Sequence, residues 1–319
     1  MLFGLRFDLR NPAFAGVSTA ERYQAMLDMA EWADTHGGLS VSFSEHHGSD
    51  DGYLPSPVVI GSAVAARTTN LAIAFAALIA PFHDPLRLAE DLAVLDNLCR
   101  GRLVVILAAG YAPHEFEMFG VDPHDRPRAV EEMFATLRQA WTGEPFEFRG
   151  RTVRVTPAPF QDGGPTLIMG GSSAGAARRA ARIADGFIPS VTGCWPAYVE
   201  ELERLGKPVP PTSAATDPVT ILLSEDPERS WHQLAPYLFH ETNAYGAWRV
   251  DSGESSPFDP RHDLEDLRTC GSYEILTPAE MAERRDSGAI PMYVMHPMVG
   301  GIPPELAWES LHLFEKHFL

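Results

Sequence analysis

The sequence predicts an α/β chain: a (β/α)8 barrel (TIM barrel) in a single domain over residues 1–319, with a long insertion between strands 7 and 8. Three observations predict it. Eight short apolar runs recur along the chain, helical patterns lie between them, and 319 residues suit a barrel with insertions. The runs are residues 2–10, 38–45, 71–80, 101–110, 166–171, 185–191, 218–225 and 290–298. Near-continuous apolar strands of this kind are buried on both faces, as in a parallel sheet. An open doubly wound sheet shares the alternation and is the runner-up.

The helices carry start and stop signals. Residues 18–37 open on a serine cap with acid in the first turn and end on glycine. Residues 84–101 open on aspartate and proline and also stop at glycine. Residues 173–186 form a third such stretch. Two segments break the rhythm. Residues 143–165 read as a small β excursion. Residues 226–275 read as an insertion, with Trp231, Tyr237, Phe239, Tyr245, Trp248 and Phe258 among prolines and charges. A segment that long in a compact domain suggests a lid or binding loop, or partial disorder.

Composition narrows the function. Apolar residues make up 45% and charged residues 21%, enough for a large core. The net charge of −18 gives no general attraction for nucleic acid or anionic membrane. There is no apolar run of ~18 residues to span a bilayer and no signal-like start. Cys99, Cys194 and Cys270 lie far apart, with no CxxC pair. A cytoplasmic setting is the expectation.

Function in a barrel sits at the C-terminal ends of the strands. The second strand ends in Glu45, His46 and His47. Adjacent histidines point in different directions from an extended chain, so one metal ion is hard to share between them. His240, Glu241 and His296 have no fixed distance from them, and no metal site is expected. Solvated loop histidines are the bland reading, and an acid/base or hydrogen-bonding role is the sharp one.

After the fifth strand come Gly170, Gly171, Ser172 and Ser173, then an alanine-rich helix. Glycine allows close backbone approach, and a capped helix N-terminus suits an anion. An ordinary serine cap is the competing reading. Ala108, Ala109 and Gly110 end the fourth strand with little side-chain volume, as do Ala76 and Ala77 near the end of the third. A flat ring could lie against such walls; close helix packing explains them equally. Together the strand ends suit a planar, phosphate-bearing cofactor.

The ordered series SEHHG, AAL, PFHDPLRLAEDLAVLDNLCRGRL, AAGYAPHEFEMFGVD and GGSSAGAARRAARIADGF resembles the bacterial-luciferase-like flavin-dependent monooxygenases. The resemblance covers roughly residues 1–190 and the stretch YVMHPMVGGIPPELAWESLHLF. It implies a barrel, usually dimeric, that binds reduced FMN or a deazaflavin. Reduced FMN comes from a separate NAD(P)H-dependent flavin reductase and splits dioxygen through a C4a-hydroperoxide to oxidise a small organic substrate.

Carried over by residue, the resemblance makes His46 the catalytic histidine, with Glu45 or His47 setting its tautomer. It implies a non-prolyl cis peptide at Ala76–Ala77 behind the flavin ring. Gly110 lies beside the cofactor, and Ser173, with Gly171 and Ser172, holds its phosphate. Two positions depart from luciferase proper: Ala109 replaces a phosphate-gripping arginine and Ala108 a reactive cysteine. Light emission is not implied. The rival readings are a deazaflavin-dependent hydride-transfer enzyme, a flavin-binding protein without catalysis, and a metal-dependent hydrolase.

Overall fold

The computed structural model describes residues 1–210, 219–252 and 259–319, without the side chains of Thr192 and of residues 249–252. In chain order the strands and helices are β1 (Phe3–Phe7), α1 (Thr19–Thr35), β2 (Ser40–Phe43), α2 (Pro57–Arg67), β3 (Ala72–Ile79), α3 (Pro85–Cys99) and β4 (Leu103–Ala108). Then come α4 (Pro113–Phe119), α5 (Arg126–Ala140), β5 (Phe146–Phe148), β6 (Arg151–Val153), β7 (Thr166–Gly171), α6 (Ala174–Ile183), β8 (Gly186–Pro189) and α7 (Trp195–Arg204). The last are β9 (Thr220–Leu223), α8 (Pro227–Ser252), α9 (Leu264–Thr269), β10 (Tyr273–Leu276), α10 (Pro278–Asp286), β11 (Tyr293–Met295) and α11 (Pro304–Phe318). All eight apolar runs carry strands. The fold is α/β with parallel main strands.

The chain divides into two compact units. Unit 1 comprises Met1–Pro55, Tyr111–Pro113 and Pro218–Leu319; unit 2 comprises Ser56–Gly110 and His114–Asp217. In unit 1, β1 pairs in parallel with both β2 and β11, and β9 pairs in parallel with β10. Its core rings include Phe7 and Phe43, with centroids 6.1 Å apart, and Phe3 and Phe314, 5.0 Å apart. The helix α1 starts on a capping box between Ser18 and Glu21, as the serine and the acid in its first turn foretell.

In unit 2, β3 pairs with β4, β4 with β7 and β7 with β8, all in parallel. Phe75, Leu78, Val105, Leu107, Leu167 and Met169 are buried there. The excursion at 143–165 is the antiparallel hairpin β5–β6. Asp84 caps α3 through the Leu86 and Arg87 amides, with Pro85 in its first turn.

The described part of 226–275 differs from the expected loop. It is regular: the 26-residue helix α8, with Pro236 inside it, then α9 and the strand β10. Phe258 lies outside the described residues.

Candidate functional site

The strand ends of unit 1 gather charged and aromatic groups. Past β1, Asp8 and Arg10 flank Leu9, whose φ of 56° turns the chain sharply. Past β2 come Glu45, His46 and His47, and past β11 comes His296; all six of these charged or titratable groups are buried. The helix α8 adds His240, Glu241, Tyr245 and Trp248.

His46 is 6% exposed, and its backbone N–H donates to the Leu54 carbonyl at 3.2 Å. Its ring is caged by aromatics. Ring centroids lie 4.6 Å away for Trp248, 4.8 Å for Tyr53, 5.6 Å for Tyr111 and 5.8 Å for Tyr245. The Tyr53 and Tyr245 hydroxyls share a hydrogen bond of 2.9 Å. Burial raises the pKa of both phenols, so they stay neutral.

Behind the cage lies Arg10, fully buried. Its guanidinium carbon sits 4.7 Å from the Tyr53 ring, 4.8 Å from Tyr245 and 4.7 Å from Trp248. Such cation–π contacts hold the rings in place. Arg10 Nη1 also donates to Asp51 Oδ2 at 2.5 Å, and His240 Nε2 donates to the same oxygen at 2.7 Å. Burial alone would raise Asp51; its bonds to His240 and Arg10 prevail and hold it well below the usual carboxylate range. Asp8 is likewise pushed up by burial but brought down to about 2, by His296 and Arg10.

The His47 Nε2–H donates to Glu45 Oε1 at 2.8 Å, so Glu45 engages His47. Of the histidines considered for metal, His240 is tied to Asp51. His296 meets Asp8 and Glu241, with donor atoms all within 4.8 Å. Its two nitrogens face a different carboxylate each, at 3.6 and 3.9 Å, and the three residues are also close enough together to hold a metal ion.

The strand ends of unit 2 are built from small residues. The Ala76–Ala77 peptide is cis. Ala76 is exposed and Ala77 half-buried, and the β3–β4 register slips between Ala76 and Leu78. Gly110 has φ of 74°, and a Cβ there would lie 2.8 Å from Ile79 Cγ2; local packing therefore requires this glycine. The two glycines of β7 differ. A Cβ on Gly171 would meet the Ala176 Cβ at 2.6 Å, which is the close helix–strand packing of the bland reading. A Cβ on Gly170 would meet only ordinary contacts, at 3.4 Å or more. Packing does not explain Gly170, and a flat ligand lying on the strand would.

Ser173 caps α6, its Oγ accepting from the Ala176 N–H at 3.2 Å. The cap is real, and it leaves the helix N-terminus exposed at Ser173, Ala174 and Gly175. That N-terminus with two serine hydroxyls fits the donor set a phosphate needs. The site residues named from sequence thus fall in two groups: His46 in unit 1, and Ala76, Ala77, Gly110, Gly170, Gly171, Ser172 and Ser173 in unit 2.

Sequence reasoning missed Arg10, Asp8, Tyr53 and the face of α8 that carries Glu241, Tyr245 and Trp248. One signal was available: Arg6, Asp8 and Arg10 recur at every second position of the first apolar run, where a buried strand end rarely carries charge.

The profile described as luciferase-like monooxygenase matches residues 3–268. An FMNH2-dependent dimethylsulfone monooxygenase of Pseudomonas fluorescens (strain Pf0-1) is 31% identical over 169 residues, 50% of this chain and 45% of that protein. An F420-dependent glucose-6-phosphate dehydrogenase of Nakamurella multipartita is 30% identical over 186 residues, 55% of each chain. The chain thus spans about half the length of these curated relatives. Among solved structures, the oxygenating constituent of 3,6-diketocamphane monooxygenase of Pseudomonas putida, in complex with FMN, superposes with a TM-score of 0.74. The match covers 99% of this chain and 97% of that one at 20% identity, a likeness of fold.

Proposed function

We propose that this chain, which belongs to the luciferase-like monooxygenase family, uses reduced FMN and dioxygen to oxidise a small organic substrate. The observation that carries the reading is His46, buried at a strand end inside a cage of four aromatic rings. An imidazole shielded from bulk water can move a proton while water is kept from the reacting atoms. Reduced FMN would supply the electrons for oxygen activation, through the C4a-hydroperoxide that the family resemblance implies. One oxygen atom goes to the substrate, the other leaves as water, and FMN returns oxidised.

The chain's own residues have distinct tasks in this reading. Ser172, Ser173 and the N-terminus of α6 hold the phosphate. Ala76, Ala77, Gly110, Gly170 and Gly171 give the ring its flat wall. His46 handles the proton. The strands close as one eight-stranded barrel domain with the 226–275 stretch as its insertion. A separate NAD(P)H-dependent reductase delivers the reduced flavin in the cytoplasm. Among the described residues no helix is long and apolar enough to cross a membrane. A homodimer completes the reading; Val59 on α2 and Val94 and Leu98 on α3 are exposed apolar residues that self-association would cover.

The second reading is hydride transfer with a deazaflavin, favoured by the resemblance to an F420-dependent dehydrogenase. Anaerobic titration with reduced FMN, and with a deazaflavin in parallel, separates the two. Tight FMN binding followed, on admission of air, by a slowly decaying oxygen-adduct absorbance supports the monooxygenase. Saturable deazaflavin binding without FMN binding moves the protein to hydride transfer. FMN binding with no turnover of any tested donor leaves a binding protein.

A further inference from the structure

Asp8 follows β1, His296 follows β11 and Glu241 lies in α8; they are 1%, 3% and 1% exposed. The imidazole stands between the two carboxylates. Its Nε2 is 3.6 Å from Asp8 Oδ2, and its Nδ1 is 3.9 Å from Glu241 Oε1. Among the described residues neither ring nitrogen has a hydrogen-bond partner. A buried polar side chain left in that state is costly.

The chemistry of the ring says what this arrangement needs. A neutral imidazole offers one N–H and one lone pair. It would set that lone pair against a carboxylate oxygen on one side. A ring protonated on both nitrogens offers each carboxylate a donor. A contraction of ~1 Å per side then makes two charge-assisted hydrogen bonds of ~2.7–2.9 Å. A metal ion on one ring nitrogen would leave the other an N–H for its carboxylate, and the ring would then show a single N–H.

The surrounding charges hold both carboxylates in place. Tyr273 donates to Glu241 Oε2 at 2.7 Å. The Gly300 N–H reaches Asp8 Oδ2 at 3.3 Å, and Arg10 Nε lies 3.8 Å from the same oxygen. Arg6 interacts electrostatically with Asp8 and Glu241, as does the Tyr245 phenol. His240 and Asp51 pair with one another beside them.

Glu241, Tyr245 and Trp248 stand at i, i+4 and i+7 of α8, which is one helix face. The carboxylate that meets His296 therefore shares a face with two of the rings that cage His46. We propose that His296, protonated on both nitrogens and held between Asp8 and Glu241, is a positioning residue that pins this face of α8 against the His46 ring. The bridge itself needs no cofactor; its value for turnover rests on the monooxygenase reading.

The test is nitrogen-15 NMR of the full chain, labelled at histidine, chelator-treated, at pH 7 and without flavin. The His296 ring signals are those absent from His296→Gln and perturbed in Glu241→Gln. In the wild type they should show two ring N–H groups, and in Glu241→Gln only one. The tryptophan emission removed by Trp248→Phe should shift in Glu241→Gln as well. A single N–H on the wild-type ring, a ring nitrogen bound to metal, or a Trp248 emission indifferent to Glu241→Gln would each overturn the proposal. If His296→Gln fails to fold, His296→Asn supplies the same assignment, so the wild-type ring can still be read. With no flavin or substrate present, failure of the monooxygenase reading leaves these outcomes unchanged.

Discussion

The strand ends of unit 1 and unit 2 are built on opposite principles. In unit 1 they carry Asp8, Arg10, Glu45, His46, His47 and His296, nearly all buried and interlocked. In unit 2 they carry Ala76, Ala77, Gly110, Gly170 and Gly171, with no ionisable side chain and open surface at Ala76 and Ser173. The first arrangement makes local electrostatics and can move protons. The second makes shape and exposed backbone dipoles, which suit a flat, anionic ligand. The chemistry and the cofactor seat proposed above are thus different kinds of construction, and substitutions in each should fail differently.

The largest effect is expected at His46. His46→Ala should lower oxygen-coupled substrate oxidation by ~100- to 10,000-fold, the range of a lost general acid or base. Reduced FMN binding should persist. An oxygen electrode with product analysis measures this, and undiminished coupled turnover would remove His46 from catalysis.

Next comes Arg10→Met. It leaves Asp51 without its 2.5 Å partner inside the protein. Breaking a buried pair from one side costs ~3–5 kcal/mol, so denaturant unfolding should show a loss of that order. A loss under ~1 kcal/mol would mean that His240, Ser49 and the Tyr53 N–H together satisfy Asp51.

Acid should act on unit 1 before unit 2. Asp8 ionises at about 2 in the fold against 3.8 as a free group. A depressed carboxylate contributes stability above its unfolded pKa, and that stability is lost as pH falls through the folded value. The window is therefore roughly pH 4 to 2, and the loss is about 2 kcal/mol. Hydrogen exchange at β1 and β3 amides across that window compares the units; equal sensitivity would contradict the contrast.

The smallest effects sharpen the cofactor seat. Gly171→Ala forces a Cβ to within 2.6 Å of Ala176 and should cost ~1–3 kcal/mol of stability. Gly170→Ala meets no such overlap and should stay within ~0.5 kcal/mol of the parent. It should instead weaken FMN binding, read by fluorescence quenching. Equal FMN affinity in parent and Gly170→Ala would show that the ring does not lie on this strand.

Much of the fold was legible because parallel strands buried on both faces leave continuous apolar runs, and each of the eight became a strand. The helix α8 was not legible as a helix. Its aromatics spread round the axis, and Pro236 breaks the usual signal of an uninterrupted helix. His46 stood out from its place at a strand end. Its cage did not, because Tyr53 and Tyr245 meet across 192 positions of sequence and only tertiary folding brings them together. The sequence offered Glu45 or His47 as the group that sets the His46 tautomer; that Glu45 bonds His47 instead was not foreseen, although residues two apart share a side of an extended chain.

The pairing of β1 with β11 has a consequence for biosynthesis. Phe3 aligns with Tyr293 and Leu5 with Met295, so β1 finds one neighbour only in a strand made much later. The residues of unit 2 between Ser56 and Asp217 leave the ribosome long before then, and their pairings β3–β4–β7–β8 are complete within that stretch. Unit 2 can therefore form during translation, while unit 1 must wait for its C-terminal part. During that wait Asp8, Arg10 and His46 lack α8 and β11, and the nascent chain carries its most charged strand ends uncovered.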